Sequence, residues 1–153
     1  MFDPEHLDFL KLLNQYQVEY MVIGGHAVNF YGYNRSTGDL DVWINKGKGN
    51  KESLIKAILD FGYNTDQLED FPANELMMFS LGSKSTFGHI EITNQIAGLR
   101  FTDAFLNKKN EVFEEIPINL IDYQDLLKTK KAAGRFKDLD DIENLTKLNR
   151  DRK

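Results

Sequence analysis

Tyr20-Met21-Val22-Ile23-Gly24-Gly25-His26-Ala27-Val28-Asn29-Phe30-Tyr31-Gly32, followed closely by Asp39-Leu40-Asp41-Val42-Trp43-Ile44-Asn45, holds most of the structural information in this chain. Its first four residues are a short apolar run closed by two glycines, the pattern of a buried strand ending in a tight turn. His26 to Tyr31 then predicts a short helix stopped by Gly32. From Asp39 to Asn45 the residues alternate, with Leu40, Val42 and Ile44 on one face and Asp39, Asp41, Trp43 and Asn45 on the other. That period of two predicts a half-buried strand.

On the N-terminal side, Asp3 as helix cap and Pro4 in the first helical position open an amphipathic helix that should end near Gln17. On the C-terminal side, Lys46 to Asn50 reads as a loop and Lys51 to Phe61 as a helix ending at Gly62. Met77 to Leu81 and His89 to Thr93, separated by the polar turn Gly82 to Gly88, predict an antiparallel hairpin. Ile116, Ile118 and Leu120 mark a last strand, and Asp122 caps a helix running to about Ala133. After Gly134, Leu139, Ile142, Leu145 and Leu148 recur every third residue as the expected core stripe of a closing helix.

With 153 residues the chain has the length of one domain, and its 41% hydrophobic, 12% aromatic and 28% charged residues are those of a folded protein. Zero cysteines exclude disulfides and thiolate chemistry and fit a reducing, cytoplasmic setting. There is no signal-peptide pattern and no apolar run of membrane-spanning length. The net charge of −5 argues against a protein that coats nucleic acid by charge alone. It is unevenly spread: residues 1–121 carry 10 basic and 17 acidic side chains, residues 122–153 carry 9 and 7. Lys128 to Lys137 holds five positive charges and no acid, a local patch suited to a small anionic ligand.

Two carboxylates two residues apart on a strand, Asp39 and Asp41, share a face, and a divalent cation with oxygen ligands relieves their repulsion. Upstream, Gly24-Gly25 sits between strand and helix, where free backbone N–H groups and the helix dipole form an anion cradle. Each feature alone also has a plain structural explanation, a solvated strand face and a sharp turn. Together they are the two halves of a site that holds a nucleoside triphosphate through a metal ion.

The stretch Val22 to Gly32 followed by Arg35-Ser36-Thr37-Gly38-Asp39-Leu40-Asp41-Val42 resembles the signature of the nucleotidyltransferase superfamily with the DNA polymerase β-like catalytic fold. Lys130-Lys131-Ala132-Ala133-Gly134-Arg135-Phe136-Lys137-Asp138-Leu139-Asp140-Asp141-Ile142 is similar to the closing motif of its abortive-infection toxin type. The resemblance implies an α/β (α+β) minimal nucleotidyltransferase fold: a mixed sheet flanked by helices, one domain over 1–153, with a core over about 18–121 and closing helices over 122–149. It implies Mg²⁺ or Mn²⁺ on Asp39, Asp41 and a third carboxylate, for which Glu91 stands mid-strand on the polar face with His89 and Thr93. Glu91 departs from the more usual Asp, and Gly-Gly-His replaces the more usual Gly-Ser, leaving the phosphates to backbone donors and His26.

The candidate nucleotide-binding residues are Gly24, Gly25 and His26 of the turn, Arg35 and Thr37 on the loop entering the metal strand, and, implied by the closing motif, Lys130 and Arg135, with Asp138 and Asp141 orienting the cations. Arg35 has two readings, a phosphate ligand or the partner of a surface acid. The expected activity is transfer of a nucleoside monophosphate from a nucleoside triphosphate to a hydroxyl of RNA, protein or a small molecule, with release of pyrophosphate. The alternative is a non-catalytic nucleotide- or partner-binding member of the same fold, such as one half of a toxin–antitoxin pair with a cognate antitoxin-type protein. Reading Asp39-Leu40-Asp41 as the metal motif of a glycosyltransferase leaves little room for donor and acceptor domains. His6, His26 and His89 form no His-x-x-x-His pair, against a zinc site, and Gly47 to Ser53 lacks the P-loop spacing.

Overall fold

The computed structural model describes residues 2–35, 37–72, 75–82 and 88–150. Six strands, β1 (Tyr20–Ile23), β2 (Leu40–Ile44), β3 (Met78–Leu81), β4 (Ile90–Thr93), β5 (Lys109–Phe113) and β6 (Ile116–Leu120), form one sheet in the order β3-β4-β2-β1-β6-β5. The pairs β2–β4 and β1–β6 are parallel and the others antiparallel, so the sheet is mixed. The helices are α1 (Pro4–Gln15), α2 (Gly24–Phe30), α3 (Lys48–Phe61), α4 (Asp66–Glu69), α5 (Phe101–Asn107), α6 (Tyr123–Ala133) and α7 (Phe136–Leu148).

Local chemistry sets these elements as the sequence predicts in most places. The Asp3 side chain caps α1 by accepting from the Glu5 N–H at 2.9 Å, with Pro4 in the first turn. Asp122 caps α6 by accepting from Gln124 and Asp125, and Gly134 ends that helix in the left-handed conformation, φ 65°. The β3–β4 hairpin forms in antiparallel register; residues 83–87 of its turn lie outside the described residues. Leu40, Val42 and Ile44 of β2 join Phe9, Leu10 and Leu13 of α1 and Leu54 and Ile58 of α3 in the core.

Several expectations need correction. The second helix spans Gly24–Phe30, not His26–Tyr31: the strand runs straight into it, and both glycines lie in its first turn. The third starts at Lys48, absorbing most of the expected loop, and the first ends at Gln15. The second strand alternates as expected, with Leu40, Val42 and Ile44 buried, Asp41 and Asn45 half-buried and Asp39 exposed; Trp43 is the departure, 1% exposed with the Phe101 ring edge-on at 5.2 Å. The leucine stripe of α7 is not its core face. Leu139 and Leu148 are exposed, while Asp138, Asp141 and Leu145 are buried. The elements β5, α4 and α5 have no counterpart in the sequence-based expectation.

Candidate active site

Parallel pairing of β2 with β4 sets two rungs of polar side chains on one face. Asp41 lies opposite Glu91 in the register, and one rung earlier Asp39 meets His89, whose backbone N–H donates to Asp39 Oδ1 at 2.8 Å. The Leu40 N–H donates in turn to the His89 carbonyl at 2.9 Å. Strands about 4.8 Å apart bring facing side chains together. One donor atom from each of Asp39, His89 and Glu91 lies within 4.8 Å of the other two, a set that can hold a metal ion. Glu91 is further fixed by the Ser80 hydroxyl of β3, which donates to its Oε2 at 2.6 Å.

Two glycines make this approach possible. A Cβ on Gly88 would land on the Gly38 carbonyl, so only glycine lets the chain entering β4 lie flat against the chain entering β2. The Gly88 carbonyl is held from below by His6 Nε2 at 3.1 Å; since a carbonyl only accepts, that nitrogen carries the proton. A Cβ on Gly24, at φ 68°, would collide with the Asp41 carboxylate.

The glycine cradle is thus engaged differently from the expectation. Asp41 lies over Gly24 and accepts a hydrogen bond from the Gly25 N–H, so a carboxylate of the chain occupies a donor expected to face phosphate. Burial pushes the Asp41 carboxyl up to about 6, the charges of Asp39 and Glu91 add to the rise, and Lys137 and the Gly25 N–H only partly oppose it. Thr37 packs against Gly25, its hydroxyl donating to the Asp39 carbonyl at 3.3 Å. Ser36 lies outside the described residues.

Gly24 lines a cleft of about 160 Å³ together with Lys130, Arg135 and Asp138. The two acids of α7 are hubs. Asp141 accepts from Arg35 through Nε at 2.9 Å and an NH2 group at 3.1 Å, and pairs with Lys130 Nζ at 2.8 Å. Asp138 pairs with Arg135 at 2.7 Å and with Lys130 at 3.6 Å. Burial alone would raise the Asp138 carboxyl; the Arg135 hydrogen bonds and the Lys130 charge outweigh it and hold it below the usual range. Arg35 is paired with an acid, and that acid, Asp141, is buried rather than on the surface.

His26 sits elsewhere: its ring stacks on Phe2 at 4.5 Å and meets His6 edge-on at 6.0 Å. Burial and the neighbouring His6 lower it to about 4, so it is neutral. A larger cavity of about 550 Å³, bordered by Trp43, Asn45 and Arg100, contains none of the carboxylates, so volume alone does not find the chemistry. His89, Ser80 and Lys137 are the residues that sequence reasoning left without a role. Lys137 stood inside the C-terminal motif, and His89 on the polar strand face beside Glu91.

No family model matches the sequence, and no curated protein matches it. Among solved structures, the chain is similar to the lincosamide antibiotic adenylyltransferase LnuA in its lincomycin-bound crystal structure. The TM-score is 0.60 at 16% identity, covering 97% of this chain and 98% of that one. At that identity the likeness shows the fold, and the fold is the nucleotidyltransferase fold that the sequence pattern implied. Among the described residues no helix is long and apolar enough to cross a membrane.

Proposed function

We propose that the chain is a divalent-metal-dependent nucleotidyltransferase that moves a nucleoside monophosphate from a nucleoside triphosphate to an acceptor hydroxyl. The observation that carries the reading is the placement of Asp39, Asp41 and Glu91 on adjoining rungs of β2 and β4, with Gly24, Lys130 and Arg135 lining a cleft beside them. Likeness to an adenylyltransferase supports nucleotidyl transfer in general and makes ATP the first donor to test. The lincomycin in that structure makes a small-molecule hydroxyl the first acceptor class to test, ahead of RNA or protein.

Asp39, Asp41 and Glu91 would hold Mg²⁺ or Mn²⁺, which when bound neutralises triphosphate oxygens and acidifies the acceptor hydroxyl. The acceptor oxygen forms a bond to the α-phosphorus as the bridge to the β-phosphate breaks, and pyrophosphate leaves with that electron pair. The hydroxyl proton goes to Glu91, whose carboxylate Ser80 holds in place. Gly24, bare of a side chain, allows close approach of the phosphates. Lys130 and Arg135 stabilise charge on the departing pyrophosphate, and Asp138 and Asp141 keep both cations from swinging into solvent.

A thermal-shift titration with each nucleoside triphosphate, with and without Mg²⁺ or Mn²⁺, tests the binding half. Ligand at 100 times Kd adds about 2.7 kcal/mol, a rise of roughly 5–10 °C for a chain this size. The shift should need the metal and disappear in Asp39→Asn. Pyrophosphate release with a panel of hydroxyl acceptors tests the chemistry. A folded protein that no triphosphate stabilises, with any of these ions, contradicts the reading.

A further inference from the structure

We infer that His89 is a metal ligand, and that the site it forms with Asp39 and Glu91 prefers divalent transition ions such as Mn²⁺, Co²⁺ or Zn²⁺ over Mg²⁺. The inference deepens the function proposed above and rests on that reading for its place in catalysis, but the ion binding it describes stands on the geometry alone.

Three observations carry it. First, among the described residues the atoms that converge are Asp39, His89 and Glu91, all within 4.8 Å, whereas the Asp41 carboxylate is turned over Gly24 and bonded to the Gly25 N–H. Second, His89 Nδ1 lies 3.5 Å from Glu91 Oε1. Nitrogen and oxygen ligands at about 2.1 Å from one ion in tetrahedral array are about 3.4 Å apart, so the two atoms stand at ligand spacing. Third, the surroundings hold the donors in place. Ser80 takes Glu91 Oε2 and leaves Oε1 facing the imidazole, the His89 N–H takes Asp39 Oδ1, and the flat Gly38–Gly88 contact locks the two strand entries together. His89 is mostly buried, 16% exposed at its side chain, which limits the rotamers it must give up to bind.

The chemistry follows from the donors. Mg²⁺ demands oxygen ligands in near-octahedral array and gives up its waters reluctantly, so a neutral imidazole adds little to its binding. Imidazole nitrogen binds strongly to the later first-row divalent ions, whose affinities rise along the Irving–Williams order. One nitrogen among oxygens therefore shifts the preference of the site without forbidding Mg²⁺ binding through the carboxylates.

The experiment is isothermal titration of the full chain with Co²⁺ and with Mg²⁺ in the absence of nucleotide, on wild type, His89→Ala and His89→Asn. Far-ultraviolet circular dichroism confirms that each variant is folded. Wild type should bind Co²⁺ far more tightly than Mg²⁺. Both variants should lose about tenfold or more in Co²⁺ affinity, with Mg²⁺ affinity held within about twofold. Wild-type protein also gives a readout free of substitution: on adding Zn²⁺, the ¹⁵N resonance of His89 Nδ1 should move while those of His6 and His26 stay. Unchanged Co²⁺ affinity in both variants, an equal loss for both ions, or a stationary His89 resonance overturns the assignment and leaves His89 as an ordinary neighbour of Glu91. Because no triphosphate is present, a chain that binds Co²⁺ through His89 yet transfers no nucleotide would count against the proposed function and not against this site.

Discussion

Asp41 is the residue at which function opposes stability most directly. It sits beside two other carboxylates and against the first turn of α2, and its carboxyl is raised to about 6 by burial first and by Asp39 and Glu91 second. An acid whose folded-state value lies above its unfolded one favours folding below the unfolded value, near 3.8, and that contribution is lost as pH rises through about 6. Without divalent ions, wild type should therefore lose on the order of 2 kcal/mol between pH 4 and 7 from this group. Asp41→Asn should be the more stable protein at pH 7, the two should converge near pH 4, and the variant should transfer no nucleotide. Urea unfolding at both pH values reads the difference; a variant equally or less stable at pH 7 would refute the account. Gly24→Ala tests the same contact from the other side. The added methyl meets the Asp41 carboxylate in a left-handed backbone, so nucleotide transfer should fall at least tenfold while stability drops by about 1–2 kcal/mol.

At the scale of elements, α6 and α7 form a clasp whose interior is ionic. Asp141, 1% exposed, joins Lys130 of its neighbour α6 to Arg35, which lies over a hundred positions earlier in the chain. Removing one partner of a buried pair leaves uncompensated charge, here two cations, at a cost of about 3–5 kcal/mol. Asp141→Asn should lower the unfolding free energy by that amount, read as a lower urea midpoint, and also weaken triphosphate binding, since Lys130 loses its closest anchor. Asp140→Asn, at an exposed position of the same helix, should cost less than about 1 kcal/mol. This clasp is also where the sequence misled. Leucines at every third position predict a core face, yet the acids between them are buried because their cations arrive from Arg35, Lys130 and Arg135. Helical periodicity scores carboxylates as outward and does not register partners far away in the chain. In the same way β5, reading Lys109-Asn110-Glu111-Val112-Phe113, is an edge strand with little burial on either face, so it shows no alternation to detect. The strands that bear the site were legible, since each is an apolar run or a clean alternation; the meeting of His89 with Asp39 was not, since it is created by β2–β4 register.

At the scale of the whole molecule, the site is made from segments that only the finished sheet unites: 24–41, 88–91 and 130–141. Strand order puts β2 between β4 and β1, and β1 beside β6, so the first and last thirds of the chain interlock across the centre and the hairpin β3–β4 completes one flank. The cations of α6 and α7 reach the carboxylates of β2 and β4 only through long-range pairing, so the assembled site is expected to have no stable fragment. Residues 1–153 are therefore expected to unfold as one cooperative unit, clasp included. Trp43 is the sole tryptophan, buried on β2 one rung beyond Asp41 beneath Phe101, and its fluorescence reports the centre of the sheet. Far-ultraviolet circular dichroism is weighted instead toward the helices, α6 and α7 among them. In urea the two signals should give one midpoint and one slope, and Asp141→Asn should move both midpoints together without changing the slope. A helical signal that melts before Trp43 would make the clasp a separate unit docked on the sheet.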